Sequence, residues 1–125
     1  MVITKDHKGI NAGVWMIKNS KWSHNFLANW YETGTLFVTD PTITFGRSGD
    51  QDTLKHLLKS EENAQQVKIL PQCSFNSYPY WRESWTGVYM KGDFLLHLAG
   101  KGTPDLRAEI FEAFRKGDYY IMKDN

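Results

Sequence analysis

One histidine in a short apolar run, followed at once by a glycine–lysine–glycine loop, is the stretch of this chain with the most evident chemistry. Residues 92–101 read Gly-Asp-Phe-Leu-Leu-His-Leu-Ala-Gly-Lys. Phe94 to Leu96 with Leu98 predict a short buried strand, and Gly100, Lys101 and Gly102 break it into a loop. At the exit of such a strand the His97 imidazole could ligate Mn²⁺ or Mg²⁺ beside carboxylates. Lys101 could neutralise a diphosphate as a point charge. The alternatives are a hydrogen-bonded core histidine and a solvated surface lysine.

Three other groups could converge with it at strand ends. Asn11 offers an amide donor and acceptor between Gly9 and Gly13, two glycines that allow close backbone approach. Asp50 offers a carboxylate and Gln51 an amide, so the set could hold several hydroxyls of a sugar. Asn11 capping a turn and Asp50 capping a helix are the plainer readings. Asp50-Gln51-Asp52 spells Asp-x-Asp, but it opens an amphipathic helix and is not read as a metal motif. The third group is aromatic. Tyr78, Tyr80, Trp81, Trp85 and Tyr89 crowd residues 72–92 without a helical or strand period, and such a loop either packs over a core or lines a groove.

The elements that must position these residues can be read in order. Gly9 to Gly13 begin as a turn, and Val14 to Ile17 continue as a strand whose unbroken apolar character predicts cover on both faces. Asn19-Ser20 caps a helix through about Glu32, with Trp22, Phe26, Leu27 and Trp30 on one face. Gly34 is its expected C′ residue. A loop over residues 34–49 follows, with a brief extended piece at Thr35–Val38. Gly49-Asp50 starts a second helix with Leu54, Leu57 and Leu58 inward, ending near Ser60–Asn63. Val67 to Leu70 form a short strand stopped by Pro71. Thr103-Pro104-Asp105 starts a last helix, with Leu106, Ile110, Ala113 and Phe114 inward and Gly117 as its stop. Strand, helix, helix, strand, strand, helix implies an α/β protein, a mixed sheet flanked by helices. Its ligands belong where strands end. No repeat or linker divides residues 1–125, which reads as a single domain.

Bulk properties exclude several classes. A chain of 125 residues with 41% hydrophobic residues and net charge +1 can fold, and lacks the basic block of a nucleic-acid binder. No apolar run reaches the roughly 20 residues of a membrane span, and Met1 to Gly9 contain no signal-peptide core. The single cysteine, Cys73, permits no internal disulfide and has no neighbouring histidine to activate it. His7, His24 and His56 share no zinc-ligand spacing. No P-loop, Gly-x-Ser-x-Gly or Gly-x-Gly-x-x-Gly is present.

Four motifs in order resemble those of glycosyltransferase family 34, the galactosyl, mannosyl and xylosyl transferases of fungi and plants. They are Gly9-Ile10-Asn11-Ala12-Gly13, Ile17-Lys18-Asn19-Ser20-Lys21-Trp22-Ser23, Asp50-Gln51 opening a leucine-rich helix, and Phe94-Leu95-Leu96-His97-Leu98-Ala99-Gly100-Lys101. The likeness runs from Gly9 to Lys101. It implies a GT-A fold and retaining transfer of a hexose or pentose from a UDP- or GDP-sugar to a glycan acceptor, with Mn²⁺ or Mg²⁺ at the diphosphate and a Golgi setting. By position it makes His97 the C-terminal metal ligand, and Gly100 and Lys101 the diphosphate loop. Asp50 and Gln51 become the pair beside the reaction centre. Asn11 and Gly13 become the Asn-x-Gly element at the donor, and Tyr78, Tyr80 and Trp81 part of the acceptor groove.

The family's Asp-x-Asp metal motif and nucleotide-binding βα units lie before the Asn-x-Gly strand, and only eight residues precede Gly9 here. The expectation is therefore the C-terminal half of a GT-A catalytic domain, without its N-terminal half, anchor or stem. The rival reading is a non-catalytic carbohydrate- or partner-binding module that uses the aromatic loop 78–89.

Overall fold

Val2, Ile3 and Thr4 are β-branched and open a strand that sequence reasoning passed over. The structure is a computed structural model that describes residues 1–40, 49–79, 87–90, 92–98 and 103–117, the side chains of Leu106 and Phe114 excepted. Two compact units divide the chain, Met1–Leu70 and Pro71–Asn125.

The first unit holds β1 (Val2–Asp6), β2 (Gly9–Met16), α1 (Lys21–Thr39), α2 (Asp50–Leu57), α3 (Glu61–Gln65) and β3 (Lys68–Leu70). Its sheet has the order β2-β1-β3, with β1 antiparallel to β2 and parallel to β3. This is the mixed α/β class expected, an arrangement consistent with a partial GT-A domain. The core gathers Ile3, Ala12, Phe26, Trp30, Leu54 and Leu57.

The β1–β2 pairing is interrupted. Thr4 pairs with Asn11 but Ile3 pairs with Trp15, so Ala12, Gly13 and Val14 bulge from β2. An odd number of unpaired residues inverts the alternation of side chains. Ile10, opposite Lys5, and Trp15, opposite Ile3, therefore share the face that packs on the core. The expected strand over Val14–Ile17, covered on both faces, is not what forms. The strand begins at Gly9 and lies at the edge of the described sheet, with Met16 49% exposed.

Helix α1 starts where expected. Ser20 Oγ accepts the Ser23 N–H at 3.3 Å, and Phe26 and Trp30 are buried. It does not stop at Gly34. It runs to Thr39, and the expected extended piece at Thr35–Val38 is helical. A single helical glycine costs about 1 kcal/mol relative to alanine, and contact with α2 offsets that. Trp30 Nε1 donates to Asp50 O at 2.8 Å, and one turn later Gly34 faces Thr53. Thr35 and Thr39 hydroxyls donate back to the carbonyls of Tyr31 and Thr35. Helix α2 opens at Gly49-Asp50 as expected but ends at Leu57. Residues Glu61–Gln65 then form the separate α3, and Asn63 Nδ2 donates to Leu57 O at 3.0 Å. Strand β3 matches expectation, ending before Pro71.

The described residues of the second unit begin with a 3₁₀ turn, Gln72–Ser74, and include α4 (Pro104–Lys116). Helix α4 stops at Gly117, whose φ of 73° is the left-handed value that favours glycine. Between them the buried stretch Phe75–Pro79 is central. Tyr78 bridges Val88 and Ser77 bridges Leu96, both in parallel. The buried strand expected at Phe94–Leu98 is reduced to that one bridge. Phe94 is 78% exposed, and the segment's one bridge among the described residues is Leu96 to Ser77. No helix, among the described residues, is long and apolar enough to cross a membrane.

Candidate functional site

In the first unit the site is the β2 bulge. A bulge frees backbone N–H groups that must find other acceptors. Here two side-chain amides supply them. Asn11 Oδ1 accepts the Gly13 N–H at 2.9 Å, and Gln51 Oε1, from the first turn of α2, accepts the Ala12 N–H at 3.2 Å. Asp6 sets the hairpin behind them. Its Oδ1 accepts the Lys8 N–H at 2.7 Å and its Oδ2 accepts Asn11 Nδ2 at 2.9 Å. Asn11 is 7% exposed, whereas Gly13 and Asp50 are exposed. Asp50 Oδ1 accepts its neighbour's Gln51 N–H at 2.8 Å, and its carbonyl is held by Trp30. Asp50 also rims an apolar cleft of about 520 Å³ lined by Leu27, Trp30, Tyr31 and Val38.

Four of the expected site residues are thus neighbours. Asn11, Gly13 and Gln51 are joined by the bulge, and Asp50 stands beside them on α2. The plainer reading of Asn11 as a turn cap also holds geometrically, since its Oδ1 accepts the Gly13 N–H; Asp50 does not cap α2, whose N-cap is Gly49 with no side-chain cap bond, and lies in the first turn instead.

In the second unit the site is His97. Its Nδ1 lies 2.6 Å from Asn76 Oδ1, its backbone N–H donates to Ser77 O at 2.7 Å, and the Tyr78 ring meets it edge-on at 5.5 Å. Three successive residues clamp one histidine. Ser77 Oγ in turn donates to Asp93 Oδ2 at 2.6 Å, and the same oxygen accepts the Met90 N–H at 3.0 Å. Tyr78 is 1% exposed, so its ring meets protein; an acceptor contact through that ring would need it uncovered. Tyr80, Trp81, Gly100 and Lys101 lie outside the described residues, as does Trp85, on which the aromatic-loop reading turns.

Sequence reasoning missed Asp6, Asn76, Ser77 and Asp93. Asp6 carried a signal, an aspartate opening a turn that ends at Gly9. Asn76 and Ser77 carried little, being two polar residues among aromatics; their complete burial marks them only in three dimensions.

Among the described residues, no three His, Cys, Asp or Glu side chains gather around a common point. His97 nonetheless fits a single place in a coordination shell. Protein-held imidazole ligands commonly anchor one nitrogen on a carbonyl or carboxylate, and Asn76 does this for Nδ1.

The family model for the galactosyl transferase GMA12/MNN10 family matches residues 1–103. The chain belongs to that family. Among its relatives are two Schizosaccharomyces pombe proteins named probable alpha-1,2-galactosyltransferases. One, gmh2, is 29% identical over 117 residues, covering 91% of this chain and 31% of its own length. The other, gmh1, is 28% identical over 117 residues, covering 91% of this chain and 32% of its own. The chain therefore spans about a third of the length of these relatives. No solved structure matches it. Within the GMA12/MNN10 match lie every motif that carried the resemblance, including the Asn11 bulge and His97.

Proposed function

We propose that this chain forms part of a glycosyltransferase that moves a hexose, galactose by the relatives' names, from a nucleotide sugar to a glycan acceptor. Transfer retains the anomeric configuration and makes an α-1,2 linkage in this reading. The observation that carries it is the bond from the Ala12 N–H to Gln51, which joins the Asn-x-Gly element to the Asp-Gln pair at one edge of one sheet.

Each residue then has a definite part. Asn11, with both ends of its amide engaged inside the hairpin, shapes the bulge rather than touching sugar. Gly13, exposed and without a Cβ, lets the donor approach the backbone. Gln51 gives Oε1 to Ala12 and presents Nε2 to a sugar hydroxyl. The Asp50 carboxylate lies close to the anomeric carbon, where it stabilises developing positive charge. His97 would hold a divalent cation, Mn²⁺ or Mg²⁺, together with the donor's own diphosphate oxygens. The chemistry such an ion supplies is neutralisation of the departing diphosphate. Lys101 and Gly100 belong to the same diphosphate contact.

Calorimetric titration of the 125-residue chain with UDP and with GDP, each with and without Mn²⁺, tests this. Metal-dependent binding of one nucleotide, lost in His97→Ala and weakened in Gln51→Ala, is the expected result. A folded chain that binds neither nucleotide would mean that these residues do not make a donor site on their own.

A further inference from the structure

Helix α1 carries two exposed asparagines one turn apart on the same side, Asn25 and Asn29. Asparagine is a poor residue for a helix interior, because its amide competes with the backbone. Neither residue caps the helix, whose N-cap is Ser20. What they border explains their place. With Trp22 they line a second cleft in the first unit, of about 620 Å³. Ser60, Glu62 and Asn63 line it from α3 and the residue before it. That volume falls within the roughly 300–1,000 Å³ of small-molecule sites. None of these residues belongs to the site of Asn11, Gly13, Asp50 and Gln51, and the apolar cleft beside Asp50 is lined by other residues of α1.

The lining has a definite chemistry. The Trp22 indole stacks on Phe26, with ring centroids 4.8 Å apart and planes 20° from parallel, so it is fixed in place, yet it is only half-buried. A ring held in this way offers a flat apolar surface. Primary amides stand around it. Asn29 Oδ1 accepts the Thr33 hydroxyl at 3.1 Å, which leaves Nδ2 to donate. Asn63 Nδ2 donates to Leu57 O at 3.0 Å, which leaves Oδ1 to accept. Asn25 offers both functions. The lining charges of Lys59 and Glu62 balance, so no net field draws an anion. A sugar ring matches this set, with an apolar face of C–H groups and a rim of hydroxyls that each donate and accept.

We propose that this cleft is a second glycan site. It holds a short stretch of a neutral oligosaccharide, with a pyranose face on Trp22 and hydroxyls on Asn25, Asn29 and Asn63. The site is one of binding and stands apart from any transfer by the chain.

Proton–nitrogen correlation spectra of the ¹⁵N-labelled chain, recorded during titration with neutral trisaccharides of glucose, of galactose and of mannose, test this. With at least one of them, the Trp22 indole and the side-chain amides of Asn25, Asn29 and Asn63 should shift and saturate. The Ala12 and Gly13 N–H signals should stay in place. The double variant Asn25→Ala with Asn29→Ala raises helix propensity and keeps the fold. It should weaken this binding about tenfold, the effect of two lost hydrogen bonds. No saturable shift at the cleft with any trisaccharide overturns the proposal. Equal binding by the double variant overturns it too, as does a response centred on Ala12 and Gly13. Trisaccharide binding at the cleft by a chain that binds neither UDP nor GDP upholds the glycan site and counts against the donor site instead.

Discussion

Gln51 Oε1 accepts the Ala12 N–H at 3.2 Å, so the first turn of a helix closes a bulge in a strand 39 residues earlier. Removing that oxygen leaves a part-buried backbone donor unpaired, a loss of about 1–2 kcal/mol. Gln51→Ala should lower stability in urea by this amount. Gln51→Glu keeps an acceptor and should lose less than half as much, while changing the group offered to sugar. Equal losses in the two variants would show that the bond does not hold the bulge.

Gly34 separates two pictures of α1. As a left-handed C′ residue it would resist alanine. As an interior helical glycine it should welcome it, since a Cβ there would meet Thr53 Oγ1 at an ordinary 3.5 Å. Gly34→Ala should therefore raise stability by about 0.5–1 kcal/mol. Thermal melts of the two proteins check this, and destabilisation would restore the shorter helix.

Gly87 is the opposite case. Its φ is 109°, and an added Cβ would lie 2.5 Å from Gln72 Cδ. Its carbonyl accepts the Tyr78 N–H at 2.8 Å, one residue from Ser77, whose carbonyl accepts the His97 N–H. Gly87→Ala should cost about 2–3 kcal/mol through strain and overpacking. The His97 and Tyr78 resonances should shift in the same sample.

Acid should loosen α4 through Glu112. Its carboxylate is held below the ordinary range, chiefly by the hydrogen bonds from Arg115 at 2.7 and 2.8 Å, with Lys116 at 3.3 Å adding to the effect. A carboxylate whose folded pKa is depressed adds stability above its unfolded value and loses it as pH falls through the folded one. The pair is exposed, so the effect is small. Wild type should melt slightly above Glu112→Gln at pH 7, and the difference should vanish once the pH is below the lowered value.

Local chemistry explains what was legible in the sequence. Ser20, Gly49-Asp50, Pro71, Pro104 and Gly117 act within a turn of their own positions, and the element ends they set stand where they were read. The length of α1 depended instead on Trp30 and Gly34 meeting α2, which no local signal records. Strand β1 escaped notice although Val2-Ile3-Thr4 is β-branched, because its partners are a bulged strand and one 66 residues further on, and neither pairing has a local signal. The His97 segment read as a strand from its apolar run, yet what fixes it is polar: Asn76, Ser77 and, through Ser77, Asp93. On the candidate site, the Asn11, Gly13, Asp50 and Gln51 neighbourhood followed from motif order. Asn76 did not, since a buried amide among aromatics looks from sequence like loop filler.

The sheet also has a timetable. Strand β1 meets β2 within its first dozen or so residues, but its other side waits for Lys68–Leu70. While the chain emerges from a ribosome at roughly 5–20 residues per second, that row of amides and carbonyls beside Ile3 stands open for several seconds. Such an edge is a template for any passing strand. Newly made copies are thus most exposed to mispairing before β3 arrives, and slowing translation between Met16 and Lys68 should lower soluble yield without touching the stability of the finished fold.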